Sequence, residues 1–463
     1  MTTYDPTSNL LPNEMLAAIF EHLAGDQAAL ADATRVCRRF RAVAERVLYT
    51  TVSITDVLAL APATGYPSSS ALQYRVQNQN QHQHQNQYTY PYPHKTAAFC
   101  TTILSRPHLA EHVKKLCIRW QTDDGVIRVD GRSFLGHVDP VLGGISAVLR
   151  VLYHLESLEI ALGLSIVVGN AGLGMTRVTE REGSSGFLSG CVFPALQVFS
   201  LSGVGRGSLP LKPPPQPSWS PPSASPNNYD LGSNSDLDPT QDLVDFLART
   251  PSITQLRLAD LHAPLALPPP PLVLPILTSF RGSAPTAASI LPGRPVHSLS
   301  LVGDRFVTVR DLTRIAMAGM GAGASAGSVR VLDLSNMSVT PLLLRDFSQY
   351  LGRSVVCLRV RLALRHTLHH ALSGITLLVG LTSVLGAFPA LRELDLSPTT
   401  LDAVGVGNAS DELSLCYAWA RDCRTLRHVI FPSKTEWVHA EDGSWAPLPP
   451  SPTTAYPPLL NYW

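Results

Sequence analysis

Two hydrophobic rhythms divide this chain. Between residues 13 and 23, Leu16, Ile19, Phe20 and Leu23 recur at the spacing of one helix face, with Pro12 before them and Gly25 after. Residues 26–49 continue at helical intervals through Leu30, Ala33, Val36, Cys37, Phe40, Val43, Ala44, Val47 and Leu48, interleaved with arginines. That length suits two helices with a bend, and the stripe puts Cys37 on the packed side. About forty residues of helix bury little surface alone, so this unit needs a partner or the rest of the chain.

The second rhythm has apolar residues at the first, fourth and sixth places of a hexamer. Nine copies occur: VKKLCI (113–118), LESLEI (155–160), LQVFSL (196–201), ITQLRL (253–258), VHSLSL (296–301), VRVLDL (329–334), VVCLRV (355–360), LRELDL (391–396) and LRHVIF (426–431). Helix-periodic stretches lie between most of them, at 138–154, 243–249, 342–351, 375–388 and 413–422. A short strand followed by a helix, repeated, is the signature of leucine-rich-repeat-like solenoids, whose units bury their apolar faces only against neighbours. The expected fold class is α/β: an N-terminal helical unit, then an irregular solenoid of short parallel strands and helices. Copies are spaced 26 to 57 residues apart, against roughly 20–29 in regular arrays, so long insertions are expected.

The expected organisation is therefore a helical domain at 8–52, the repeat region at 95–435, and a C-terminal tail at 436–463. Flexible insertions are expected at 66–93, which contains QNQNQHQHQNQ, at 205–239, rich in proline and serine, and at 264–275, which holds four consecutive prolines. Residues 371–391 are uncharged over a length that could span a membrane. Ser373, Gly374, Thr376, Gly380, Thr382, Ser383, Gly386 and Pro389 interrupt them, and their end runs into a hexamer. A buried helix followed by a turn is the reading adopted.

The N-terminal residues also carry a resemblance. The run LLPNEMLAAIFEHL, Leu30, the Val36-Cys37-Arg38 step, Phe40 and Leu48-Tyr49 resemble the F-box, as found in F-box proteins of the fungal type. Phe40 and Tyr49 stand where family members often have tryptophan and keep an aromatic ring. The resemblance covers about a tenth of the chain. It implies docking on a Skp1-type adapter through Leu11, Pro12, Glu14, Leu16, Ile19, Phe20, Leu30, Val36 and Phe40, and through the adapter a cullin-based ubiquitin ligase. The chain would then be the subunit that recognises an unknown protein substrate. A repeat scaffold whose helical unit merely caps the array is the alternative.

Composition agrees with a globular interaction protein. Apolar residues make up 45% and charged residues 15%, which excludes a wholly disordered chain. The formal net charge is +1 with the basic residues scattered, so neither nucleic acid nor a membrane surface is an expected partner. Only five of those basic residues are lysines, a bias toward arginine that also leaves few acceptors for the chain's own ubiquitination. The seven cysteines are widely spaced without a CxxC, which fits a reducing cytoplasm or nucleus. No secretory signal is read at the N-terminus.

No catalytic constellation emerges, so no enzyme activity, cofactor or metal is expected. His82, His84 and His94 have no acidic or thiol partner nearby, and His366, His369 and His370 lack the HExxH glutamate. Gly203, Gly205 and Gly207 open into a proline-rich stretch rather than a helix that could hold a phosphate. There is no P-loop and no GxSxG elbow. Substrate contact is instead expected at the fifth hexamer place, which points away from the leucine core because strand side chains alternate. In the five best copies this place holds Arg257, Ser300, Asp333, Arg359 and Asp395. Asp333, Arg359 and Asp395 are expected to form a solvent-exposed acidic-basic-acidic ladder.

Overall fold

The computed structural model describes residues 11–58, 92–122, 131–162, 187–202, 241–259, 261, 264–268, 273–303, 307–317, 329–363, 374–400 and 408–448. Three helices come first: α1 (Asn13–His22), α2 (Gln27–Val36) and α3 (Arg38–Thr50). Asp26 starts α2 by accepting the Ala29 amide, and Cys37 starts α3, its Sγ facing the Phe40 amide at 3.4 Å. Cys37 is thus an exposed cap rather than the packed residue its stripe position suggests. Phe20, Leu30 and Ala44 form this domain's own small core, with the Phe40 ring edge-on to Phe20 at 5.5 Å.

Without a break, α3 runs into β1 (Thr51–Leu58), the first strand of one 13-stranded sheet whose spatial order is the chain order. Then come α4 (His94–Ser105), α5 (Pro107–Ala110), β2 (Lys115–Thr122), α6 (Gly131–Leu149), β3 (Ser157–Ala161), β4 (Val198–Leu201) and α7 (Gln241–Arg249). They are followed by β5 (Gln255–Leu258), β6 (Ser279–Gly282), α8 (Ala284–Ile290), β7 (Ser298–Val302), α9 (Val309–Ala316), β8 (Val331–Val339) and α10 (Pro341–Leu351). The last part holds β9 (Cys357–Leu362), a 3-10 helix (Gly374–Leu381), α11 (Thr382–Leu385), β10 (Glu393–Asp395), α12 (Ala409–Asp422), β11 (His428–Ile430), β12 (Glu436–His439) and β13 (Trp445–Pro447). Strands β1 to β11 are parallel.

Each of the nine hexamers enters a strand at its third residue. Their first, fourth and sixth residues are at most 3% exposed and share one core with the helices, including Phe246, Phe347 and Trp419. The chain locks each new strand in the same way. The carbonyl of the residue just before each strand from β2 to β10 accepts two successive amides at the start of the next strand: Lys114 from Glu156 and Ser157, Glu156 from Gln197 and Val198, and so on to Arg392 from Arg427 and His428. The uncharged stretch before the eighth hexamer is the 3-10 helix and α11. Among the described residues no helix is long and apolar enough to cross a membrane.

Two of the parallel strands, β1 and β6, were not legible as hexamers. Strand β1 is tied in by Asp56, buried, whose carboxylate accepts the Lys95 amide at 2.9 Å and both the Thr96 amide and hydroxyl, at 2.9 and 2.6 Å. It thereby caps α4, whose positive end favours an anion, while Trp120 donates to the same Thr96 hydroxyl. Strand β6 carries Leu277 and Phe280 in core places but Gly282 in the sixth. A Cβ on Gly282 would lie 2.7 Å from Phe280 Cζ and 3.1 Å from the Leu258 carbonyl oxygen, so one phenylalanine ring fills two core places.

The C-terminal end departs from a tail. Strands β12 and β13 turn back antiparallel on β11, and buried Glu412 of α12 holds them by accepting Ser433 Oγ at 2.6 Å and Trp437 Nε1 at 3.0 Å. The insertion expected at 264–275 is anchored at both described ends. Leu265, Val273 and Leu274 are buried, and buried Arg294 donates to the carbonyls of Pro268, Val273 and Ile290. Residues 66–91 and 205–239, with His82 and His84, lie outside the described residues, as do Gly203, Gly205, Gly207, His366, His369 and His370.

Gly282→Ala alone is expected to lower stability by about 1–3 kcal/mol through overpacking. Combined with Phe280→Leu the two changes should couple by more than about 0.5 kcal/mol in the compensating direction, read from urea midpoints of the four proteins of the cycle.

Candidate functional site

Two surfaces stand apart from the core. On α1 the apolar stripe splits in two. Leu16 and Phe20 turn inward and are buried. Leu11, Met15, Ile19 and Leu23, spaced four apart, remain 36–51% exposed. Residues four apart form one ridge on a helix surface, the shape that enters a groove on a partner helix pair. Val36, at the end of α2, is 67% exposed. Pro12, which precedes α1, and Glu14 in its first turn are also exposed.

The segment before α1 is held from α3. Arg39 Nε donates to Asn13 Oδ1 at 2.8 Å and its Nη2 donates to the Leu11 carbonyl, fixing Leu11 and Pro12 at the head of the ridge. Met15 and Arg39 escaped the sequence reading: Met15 falls outside the i, i+3, i+4 stripe, and nothing in spacing links Arg39 to Leu11. Of the nine residues named for adapter contact, the structure places Leu16, Phe20 and Leu30 inside the domain and Phe40 against its core. Leu11, Pro12, Glu14, Ile19 and Val36 lie on the outside.

Residues 8–55 match the F-box-like family. The helical domain is therefore F-box-like, and the match runs past the end of α3 into β1. No curated protein matches the chain. Tyr49 and Val52, at the end of the F-box-like domain, pack against the core of the sheet, and Glu45 faces Arg106 at 4.0 Å.

The second surface is the sheet face opposite the leucines. Register joins the five named residues into one row across six strands, with a sixth residue between the first two: Arg257, Arg281, Ser300, Asp333, Arg359 and Asp395. The ladder of Asp333, Arg359 and Asp395 exists but is not solvent-exposed. Ser300, Asp333 and Asp395 are buried, and Arg257 and Arg359 are half-buried. Short side chains on a parallel sheet are covered by the long ones beside them, which sequence alternation alone does not show.

Much of this row is satisfied internally. Arg359 Nε lies 3.1 Å from Asp395 Oδ2, a charge contact whose angle does not make a hydrogen bond. Asp395 Oδ1 accepts the Ser397 amide at 2.8 Å. Asp333 Oδ1 accepts the Ser335 amide at 2.8 Å, and its Oδ2 accepts Ser300 Oγ at 3.0 Å. Burial, then Glu393 and Asp395, push the Cys357 thiol well above its usual range. Burial likewise raises Cys100, to about 11, so both stay protonated at neutral pH. Among the described residues no His, Cys, Asp and Glu cluster could hold a metal ion.

Reversing Arg359 sets a carboxylate beside buried Asp395. Arg359→Glu is therefore expected to cost about 1–3 kcal/mol, the range for stranding a buried acceptor group, and to appear as an earlier urea midpoint rather than as a silent surface change.

Proposed function

We propose that this protein is the substrate-recognition subunit of a Skp1–cullin–F-box-type ubiquitin ligase. The observation that carries the reading is the exposed ridge of Leu11, Met15, Ile19 and Leu23 on a domain that matches the F-box-like family. Four apolar side chains in one line, backed by a separate internal core, suit a partner that supplies the missing half of a helical interface. A Skp1-type adapter is that partner, and a cullin follows through it.

The sheet region is proposed to be a leucine-rich-repeat-like solenoid that captures a protein substrate. A spatial strand order that follows the chain, nine hexamers with one buried pattern and helices sharing the leucine core all support it. The strand face opposite the leucines is the capture surface, since that face of such arrays is their extended binding surface. The chain makes no covalent bond itself. It acts by holding a substrate at high effective concentration beside a transferring enzyme borne by other subunits. All seven cysteines are free thiols, which fits the cytoplasm or nucleus.

Ile19→Asp is expected to reduce capture by a purified Skp1-type adapter at least 100-fold while the thermal midpoint stays unchanged, because Ile19 lies outside the domain's core. Arg39→Ala, which releases Leu11, should weaken capture about tenfold. Wild-type protein that fails to bind the adapter in the same assay would make the helices a cap on the array, as the packing of Tyr49 and Val52 on the sheet core would then explain.

A further inference from the structure

Arginines on the face opposite the leucines differ in their surroundings. Arg119 of β2 donates Nε and Nη2 to Glu159 Oε1 at 3.0 and 2.7 Å. Arg359 faces Asp395. Arg257 of β5 and Arg281 of β6 face each other in register on adjacent parallel strands, about 4.8 Å apart. Like charges set directly across neighbouring strands are destabilising, and no carboxylate of the described residues pairs with either. Glu159, two strands before Arg257 in the row, is taken by Arg119. Asp333, two strands after Arg281, has both oxygens engaged.

The pair also sits among donors that have no acceptor. Arg281 Nε is enclosed and makes no hydrogen bond. Ser298, fully buried on β7, has its Oγ without a partner. Ser298 pairs in register with Ser279, which shares its strand face with Arg281. A buried polar group left unpaired is costly, so the face holds unmet demand for acceptor oxygens at Arg281 and Ser298. Burial, and after it the charge of Arg281, lower the pKa of Arg257, and the more distant Glu159 offsets only part of this. Only two adjacent strands are positive, with Glu159 and Asp333 flanking them. A polyanionic backbone would run onto those carboxylates, whereas a single acidic side chain would not.

We propose that Arg257 and Arg281, with Ser298, form an anion seat that binds an oxyanion-bearing side chain of an acidic peptide segment. The seat deepens, and rests on, the reading of this face as the capture surface. The oxyanion is the carboxylate of Asp or Glu, or a phosphoryl group on a serine. Either supplies several lone pairs to two guanidinium forks, the geometry that makes Arg–oxyanion pairs strong.

The test uses the full chain and three immobilised degenerate peptide libraries, alike except for a central phosphoserine, glutamate or glutamine. Wild type should be retained at least tenfold better by the phosphoserine library, the glutamate library or both than by the glutamine one, and the pattern names the oxyanion. Arg257→Gln and Arg281→Gln should each cut that preference at least threefold, and together erase it, with Arg310→Gln on α9 as an unaffected control. Equal retention on all three libraries, or a preference that survives the double variant, overturns the proposal.

Inorganic phosphate, compared with chloride at equal ionic strength, should raise the wild-type thermal midpoint but not that of the double variant. The double glutamine variant should itself melt no earlier than wild type, since a repulsive pair has been removed. A double variant that fails to fold is replaced by Arg257→Lys with Arg281→Lys, which keeps charge but loses the forks and should retain less than a third of the preference. Full preference in the lysine protein overturns the seat as described. Inorganic phosphate that competes as well as the phosphopeptides overturns the peptide source. Adapter capture is measured on the same samples. Acid preference without adapter binding removes the ligase reading and leaves the seat, and the reverse result removes the seat alone.

Discussion

A shared carbonyl governs this molecule. At the head of each strand from β2 to β10, the oxygen of the residue before the strand takes two successive amides from the next. A side-chain period of two means that a slip of one residue would exchange the two faces. The double acceptance, repeated nine times, leaves no room for such a slip. It is what stacks leucine on leucine along one side, and the same registration sets Arg257 beside Arg281 and Arg359 beside Asp395 on the other. Every property assigned to the outer face depends on it.

The two faces are built under different rules. On the helix side, volume is the constraint, and the substitution of Phe280 and Gly282 for the usual pair of apolar residues shows how strictly it is met. On the other side, each buried polar group must find a partner, often from a strand away, as Ser300 finds Asp333; the exposed Arg119 likewise finds Glu159. Natural proteins hold unfavourable local arrangements chiefly where function needs them. Two arginines in register with an enclosed, unbonded Nε are such an arrangement, and among the described residues they occupy two of thirteen strands.

Much of the fold was legible because burial repeats. The hexamers announce β2 to β5 and β7 to β11, since three core places per strand leave a periodic trace. Strand β6 is silent because Gly282 erases the sixth apolar place, and with it Arg281 was missed. Strand β1 is silent because its anchor is a buried carboxylate, Asp56, rather than a leucine. The paired strands after residue 436 are held by Glu412, 25 residues upstream of Trp437, a contact no local pattern carries. On the F-box-like domain, periodicity found one stripe where there are two. Leu16 and Phe20 are buried while Ile19 and Leu23 face outward, and a sequence cannot separate them because both sets fit one helical period. The outward direction of Asp333 and Asp395 was readable from alternation. Their burial was not, because it comes from neighbouring strands distant in sequence.

The uninterrupted passage from α3 into β1 makes the sheet a ruler with its zero at the F-box-like domain. Position along it is counted in strands, each adding about 4.8 Å, so Arg257 on the fifth strand stands about 19 Å along the sheet from β1. Loops of any length can be added between strands without moving that mark, since the count and not the chain length sets it. Adding or deleting one whole strand-and-helix unit before β5 would displace it by a single graduation. The long, uneven connections of this chain thus leave that spacing unchanged, and a lineage could lengthen them freely while keeping the distance between the F-box-like domain and the arginine row.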